Sequence, residues 1–324
     1  LRLASGTVFD GRWVIDGPLA RGSTSEVFRG HDRRSGEPAA IKVLLPELAA
    51  DPTALQRFRR EARVARELSH PHIVAVRDFG VDHGHPFIAM ELLEGETLET
   101  RLERGALEAP LVCAVIAQVA AAVDHAHALG VVHRDLKPDN FFLLAGEGPP
   151  RVKVLDFGFA KVLGGLHRDG LKTASNALLG TPLYMAPEQV RSSATVDPRA
   201  DLWSLGVVAY ELLAGEAPFT GRSPADLFVE ILTRPIDPPT ARRAELPPTL
   251  DRWAAQALDR DPARRFGSAT ELGEALHAAL EAPRTHGATA ATAPPRERPQ
   301  RGWAAVAIAL AVATAVALAI AWAR

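Results

Sequence analysis

The sequence predicts an α+β fold in two lobes, a small β-rich lobe followed by a larger helical one, with a single membrane-spanning helix at its C-terminal end. Three observations predict it. Short apolar or alternating runs between Gly, Pro and charged turns extend as far as Met90. Apolar residues at helical spacing dominate from Pro110 onward, and an uncharged apolar stretch runs from Trp303 to Ala323. A chain of 324 residues that is 47% hydrophobic and 23% charged can bury a sizeable core. The net charge of −2 and scattered arginines give no basic field, so nucleic acid is not expected as a partner.

In the first part, RWVID (12–16), EVFRG (26–30), PAAIKVLL (38–45), HIVAVRDFG (72–80) and PFIAMEL (86–92) read as strands. One helix interrupts them, with Asp51 as N-cap and Pro52 at its first position. Leu55, Phe58, Ala62, Ala65 and Leu68 form its apolar stripe. Glu61 points with that stripe, and an inward carboxylate requires a cation. The next helix spans 110–128 and stops at Gly130; others are expected at 198–213, 224–232, 248–258 and 268–280. The lone Cys113 excludes an intrachain disulfide, suits a reducing compartment and reads as a buried core thiol. The pairs His70/His72, His83/His85 and His125/His127 do not share a helix face and have no cysteine companions, so a metal site is not expected from them.

The domain boundaries follow from composition. Residues 9–281 form the folded domain, with a small lobe at 9–90 and a large lobe at 94–281. Residues 282–302, rich in Pro, Ala, Thr and Arg without an apolar period, read as a disordered linker. The stretch 303–323 is long enough to cross a bilayer, with Trp303 and Trp322 at the two interfaces. Arg296, Arg298 and Arg301 lie just before it and favour a cytoplasmic position for that side. The expected location is the cell membrane, single-pass, in contact with lipid, the large N-terminal part cytoplasmic and no signal peptide ahead of it. Ala305, Ala309, Ala313, Ala317 and Ala321 place a small residue on one face at every turn, which would allow a homodimer through this helix.

The most specific signal is HRDLKPDN, His133 to Asn140, whose base, carboxylates, cations and amide core packing does not demand. Sixteen residues further, VKVLDFG runs as a strand into Asp156, Phe157 and Gly158, and GTPLYMAPE follows at 180–188. With this set in this order, the chain from Phe9 to Leu280 resembles protein kinases, in particular the bacterial membrane-anchored, eukaryotic-like (Hanks-type) serine/threonine kinases. The resemblance implies the bilobal protein kinase fold, a β-rich N-lobe and a helical C-lobe, here followed by the one C-terminal transmembrane helix.

It also implies roles. Asp135 would orient the attacking hydroxyl and accept its proton, and Lys137 would neutralise the transferring phosphate. Asn140 and Asp156 would supply oxygen ligands to Mg²⁺, or Mn²⁺ in its place, beside ATP. Lys42 would hold the α- and β-phosphates and pair with Glu61, which answers the inward carboxylate. Met90 resembles the gatekeeper, after which Glu91 and Leu93 would offer main-chain groups to adenine. Val27 and Ala40 would cover the adenine and Phe142 would support it from below, where a smaller aliphatic residue is usual. Asp201 resembles the aspartate that braces the catalytic loop, and Arg265 the arginine that pairs with Glu188. Arg134 resembles the arginine that clamps a phosphorylated activation segment, with Thr173 and Ser175 at the autophosphorylated positions. Thr181 matches the substrate-facing threonine.

The glycine loop departs from the pattern. G-x-G-x-x-G-x-V aligns with ARGSTSEV, so Ala20 and Ser25 replace two glycines and Gly22 remains. Two readings stay open: an active kinase acting on protein serine and threonine hydroxyls, or a nucleotide-binding but catalytically weak pseudokinase that serves as a tethered scaffold. A pseudokinase more often loses Lys42, Asp135 or Asp156, all present here.

Overall fold

In the computed structural model, which describes residues 3–22, 25–50, 52–157, 182–191 and 197–282, the N-terminal runs form a six-stranded antiparallel sheet. Its strands are β1 (Val8–Phe9), β2 (Trp13–Arg21), β3 (Ser25–Asp32), β4 (Pro38–Leu44), β5 (Val76–Asp82) and β6 (His85–Glu91), ordered β1-β2-β3-β4-β6-β5. Side chains alternate along each strand, so the sheet has two working faces. On one, Trp13, Ile15, Phe28, Ile41, Val43 and Phe87 form a core. On the other, Leu44 and Ile88 pack with Phe58 and Ala62 of helix α2 (Pro52–Glu67), which follows the short α1 (Pro46–Ala49). Lys42 alternates with Ile41 and Val43 and pairs across with Ile88, which puts it on the α2 side.

Two strands differ from their sequence reading. β2 continues through Gly17 and Pro18, where a turn would be expected, because register shifts at Ile15/Gly17 and Pro18/Ala20 absorb both residues. The run at 72–80 becomes a strand only from Val76. Ahead of it, Val154 N–H donates to His72 O (2.8 Å) and Val74 N–H to Val154 O (3.0 Å), so distant main chain takes these groups instead.

A second sheet, β7 (Gly95–Thr97), β8 (Phe141–Leu144) and β9 (Val152–Val154), is antiparallel, and the segment His133–Asn140 leads directly into its central strand β8. The expected strand into Asp156 ends at Val154. The helices are α3 (Leu98–Leu102), α4 (Ala109–Ala128), α5 (Pro187–Arg191), α6 (Arg199–Ala214), α7 (Pro224–Thr233), α8 (Pro239–Arg242), α9 (Thr249–Ala257) and α10 (Ala269–Glu281). Ser223 and Ser268 cap α7 and α10 through their hydroxyls. Asp124 of α4 accepts from the N–H groups of Ala269 and Thr270 (2.9 and 2.8 Å), placing a carboxylate at the positive end of α10.

Helix α6 is the axis of the large lobe. Thirteen of its sixteen residues are buried, so it has no polar face, and α4, α9 and α10 all pack on it. Among the described residues one helix, α4, is long and apolar enough to cross a membrane; its Val112, Val115, Ile116, Val119 and Val123 lie in the core. The stretch 303–323, most of the linker, Asp51, Gly158, Thr173, Ser175 and Thr181 lie outside the described residues, as does the side chain of Glu61. Cys113 is half-buried rather than fully buried, and burial pushes its thiol up.

Gly30 permits the close approach of β2 and β3: a Cβ there would lie 2.2 Å from Val14 O and 2.6 Å from the Ile41 side chain. Gly30→Ala is therefore expected to lower the unfolding free energy by about 1–3 kcal/mol, read as a lower urea midpoint. An unchanged midpoint would show that the strands can separate there without loss.

Candidate active site

The catalytic loop is fixed by its main chain. Asp201, in the first turn of α6 and without solvent exposure, accepts from His133 N–H (2.8 Å), Arg134 N–H (2.7 Å) and His127 Nε2 (2.8 Å). Gln189 donates to Arg134 O (3.0 Å). Arg134 is thereby held at φ +69°, a left-handed conformation that costs a residue with a side chain about 1 kcal/mol. Asp156 is held likewise at φ +56°.

His133 joins the two halves of the site. Its Nδ1 accepts from Asp135 N–H (3.3 Å) and its Nε2 faces Leu155 O (2.9 Å), so the bonds select the Nε2–H tautomer. Leu155 N–H donates to Asn140 O (2.8 Å). Both peptide groups of the residue before Asp156 are therefore tied to the catalytic loop. Phe157 stacks edge-on against His133 at 4.7 Å and lines a narrow apolar cavity with Ala65, Val76, Ile88 and Met90.

Five of the sequence-predicted residues converge here. Lys42 Nζ, from the small lobe, lies 2.5 Å from Asp156 Oδ1. Lys137 Nζ is 3.5 Å from Asp135 Oδ2. Asn140 Nδ2 donates to Asp135 O (2.7 Å), which leaves the amide oxygen as the group Asn140 can offer a ligand. Burial pushes the Asp156 carboxyl up, but Lys42, His133 and Lys137 outweigh it and hold the group below its ordinary value. An anionic carboxylate and an amide oxygen are hard donors, so this pair fits Mg²⁺.

Strand register aligns the residues expected around adenine. Ala20 pairs with Val27, Val27 with Lys42, and Ala40 with Met90. Gly22 N–H closes the loop onto Ser25 O (2.9 Å). Glu91 N–H is already donated to Ala75 O (3.0 Å), so any main-chain contact to adenine from Glu91 falls to its carbonyl. Phe142 stands between Thr97 and Lys153 in the second sheet, and Leu93 follows the end of β6. Arg265 grips Glu188 through both terminal guanidinium nitrogens (2.7 and 2.8 Å), donates to Arg199 O and, from Nε, to Asp259 O, and lies over Trp203.

Several residues take part in ways the sequence did not indicate. His127 and His125 carry different duties: the first reaches Asp201, the second stacks on His70 at 5.2 Å. Tyr184 O–H donates to Glu211 (2.7 Å). The signal available for His127 was its place six residues before the HRD segment.

Comparison with known proteins follows the same segments. A protein kinase domain model matches residues 13–277. The serine/threonine-protein kinase PknL of Mycobacterium tuberculosis is 40% identical over 275 residues, 85% of this chain and 67% of the relative. PknB of Mycolicibacterium smegmatis is 39% identical over 266 residues, 81% of this chain but 42% of the relative. Among solved structures, the PknI kinase domain of Mycobacterium tuberculosis matches with TM-score 0.66 at 34% identity, covering 85% of this chain and 98% of that one. A double mutant of the same domain reaches TM-score 0.69 at 31% identity, covering 86% and 100%.

Burial pushes the Glu211 carboxyl up to about 7; the Tyr184 hydrogen bond opposes the shift, and Glu99 and Asp139 add to it. Between the ordinary carboxylate range and pH 7 the folded state keeps a proton that the unfolded state has released, so Glu211 makes stability fall as pH rises through that window. Glu211→Gln, which keeps an acceptor for Tyr184, is expected to flatten the slope and to be about 1–3 kcal/mol more stable than the parent at pH 8. Urea unfolding at pH 5 and pH 8 checks this; parallel curves for parent and variant would refute it.

Proposed function

This chain belongs to the protein kinase family, and on that premise we propose that it transfers the γ-phosphoryl group of ATP to serine and threonine hydroxyls of proteins, its own activation segment included. The observation that carries the reading is the meeting of Lys42 with Asp156, 114 residues apart in sequence, beside Asp135, Lys137 and Asn140. Phosphoryl transfer asks little covalent chemistry of the protein, so placed charge is the main requirement.

Asp135 orients the acceptor hydroxyl and takes its proton on the carboxylate, which Lys137 and Asn140 hold in place. Lys137 also meets the charge on the transferring group, and Lys42 holds the other phosphates. Mg²⁺, held by the oxygens of Asn140 and Asp156, would neutralise phosphate charge, and Mn²⁺ has the same ligand preference. Ala20, Gly22, Val27, Ala40, Met90, Glu91, Leu93 and Phe142 form the nucleotide's surroundings, and Glu61 is the partner assigned to Lys42. The scaffold alternative is disfavoured because each residue with a charge-handling role is present.

Regulation belongs to the same reading. Thr173 and Ser175 are the autophosphorylation sites, Arg134 the cation that receives the phosphate, and Thr181 a contact for the substrate segment. The domain at 9–281 is joined by the linker 282–302 to a membrane anchor at 303–323, so the enzyme signals from the cytoplasmic side of the cell membrane. The uncharged length of the anchor, its tryptophans and the preceding arginines support this. Its stripe of alanines supports pairing of two copies for phosphorylation in trans.

Phosphate incorporation by the full chain with Mg²⁺ and ATP tests the activity. Asp135→Asn is expected to reduce it at least ~100-fold. Incorporation in the parent should map to Thr173 or Ser175, and the double alanine variant should lose most of its activity. An Asp135→Asn form as fast as the parent would end the kinase assignment. Separately, the full chain should stay with membranes after alkaline carbonate washing; release into the wash would remove the anchor from the reading.

A further inference from the structure

Lys153 is one of five lysines in a chain that otherwise uses arginine for its cations, and none of the roles above absorbs it. Its Nζ lies 2.5 Å from Glu91 Oε1 and donates to Ile73 O at 3.2 Å. The same Glu91 oxygen accepts from Ala75 N–H at 2.7 Å, while Glu91 N–H donates to Ala75 O at 3.0 Å. Glu91 is thus fixed at both its main chain and its carboxylate. The pair is mostly shielded from solvent, with side-chain exposures of 15% and 23%, so it is not an ordinary surface ion pair.

The position of Lys153 in β9 gives this bond its consequence. Lys153 pairs across the second sheet with Phe142, and directly opposed residues share a face. Three residues further along the chain is Asp156. The neighbouring segment is pinned to the same strand, since His72 bonds to Val152 O (3.1 Å) and Val74 N–H to Val154 O (3.0 Å). One ammonium therefore ties Glu91 and Ile73 to the strand that leads to Asp156, and that strand is paired with Phe142. A compact head with three donors suits two acceptors at different angles better than a planar guanidinium does.

We infer that Lys153 is a positioning residue for the nucleotide, holding the Glu91 main chain in fixed relation to Phe142 and so setting affinity for the adenosine part of ATP. This rests on the kinase reading, and the test separates the two. In the full chain, Lys153→Met keeps the stem and removes the charge. It is expected to raise KM for ATP and Kd for adenosine together by about five- to tenfold, a loss in scale with one charge-assisted hydrogen bond. Tripolyphosphate binding should be unchanged and kcat at saturating ATP should stay within about twofold, because the phosphate and proton-handling groups are not touched.

Glu91→Gln keeps an oxygen for Ala75 N–H and should show the same selective loss, less than additive with Lys153→Met. If Lys153→Met does not fold, Glu91→Gln decides alone. An unchanged Kd for adenosine overturns the inference. So does an equal loss of tripolyphosphate affinity with a lower Tm, which would make the contact a general brace. A higher kcat with unchanged KM also overturns it, since the pair would then restrain the lobes instead. Absence of turnover in the parent would defeat the kinase reading, and adenosine binding would still decide the role of Lys153.

Discussion

Asp201 has no solvent-exposed surface, and a carboxylate so placed is tolerable only when donors surround it. The donors here are the main chain of His133 and Arg134 and the ring of His127, so the cost of burying the group is offset by fixing the catalytic loop. Arg134 can then occupy left-handed backbone, Asp135 follows it in a defined direction, and His133 faces Leu155. Loss of the carboxylate would leave two peptide N–H groups and an imidazole without acceptors in the core. The geometry of the residues proposed to handle phosphate therefore depends on a helix that contributes none of them.

From that anchor the order passes to the second carboxylate through main chain. Leu155 is bonded to Asn140 on one side and His133 on the other, which sets where Asp156 begins and makes its positive φ sustainable. Lys42 then closes the connection from the small lobe. Segment 72–75 adds a parallel connection, bonding to β9 with one set of peptide groups and to Glu91 with another. The two lobes are thus joined by directional bonds at the nucleotide-facing edge as well as by the chain itself.

Much of this was legible in the sequence, and the limits have a physical cause. The HRD, DFG and APE segments are local, so residue type and spacing were enough to select their members. Longer helices announced themselves by apolar period, as at 110–128 and 224–232, whereas the caps Ser223 and Ser268 emerged only in the structure. Elements of two to five residues, such as β1, β7 and α3, span too few periods to give a signal. Residues 72–74 looked like strand because Ile73 and Val74 open an apolar β-branched run, yet their partners are β9 residues some 80 positions away. Glu91 with Lys153, and His127 with Asp201, are pairings of the same long-range kind. Nothing in a local window records such contacts, because the partners lie 62 and 74 residues apart and meet only in the folded chain.

The all-round burial of α6 has a meaning for how the chain is made. Its apolar surface is completed only by α9 and α10, which lie downstream in the sequence. During synthesis, at about 5–20 residues per second, the helix leaves the ribosome several seconds before its last covering layer exists. For that interval the nascent lobe leaves part of an apolar cylinder exposed to solvent. The burial of α6 is thus a late event that waits on the last helices of the lobe.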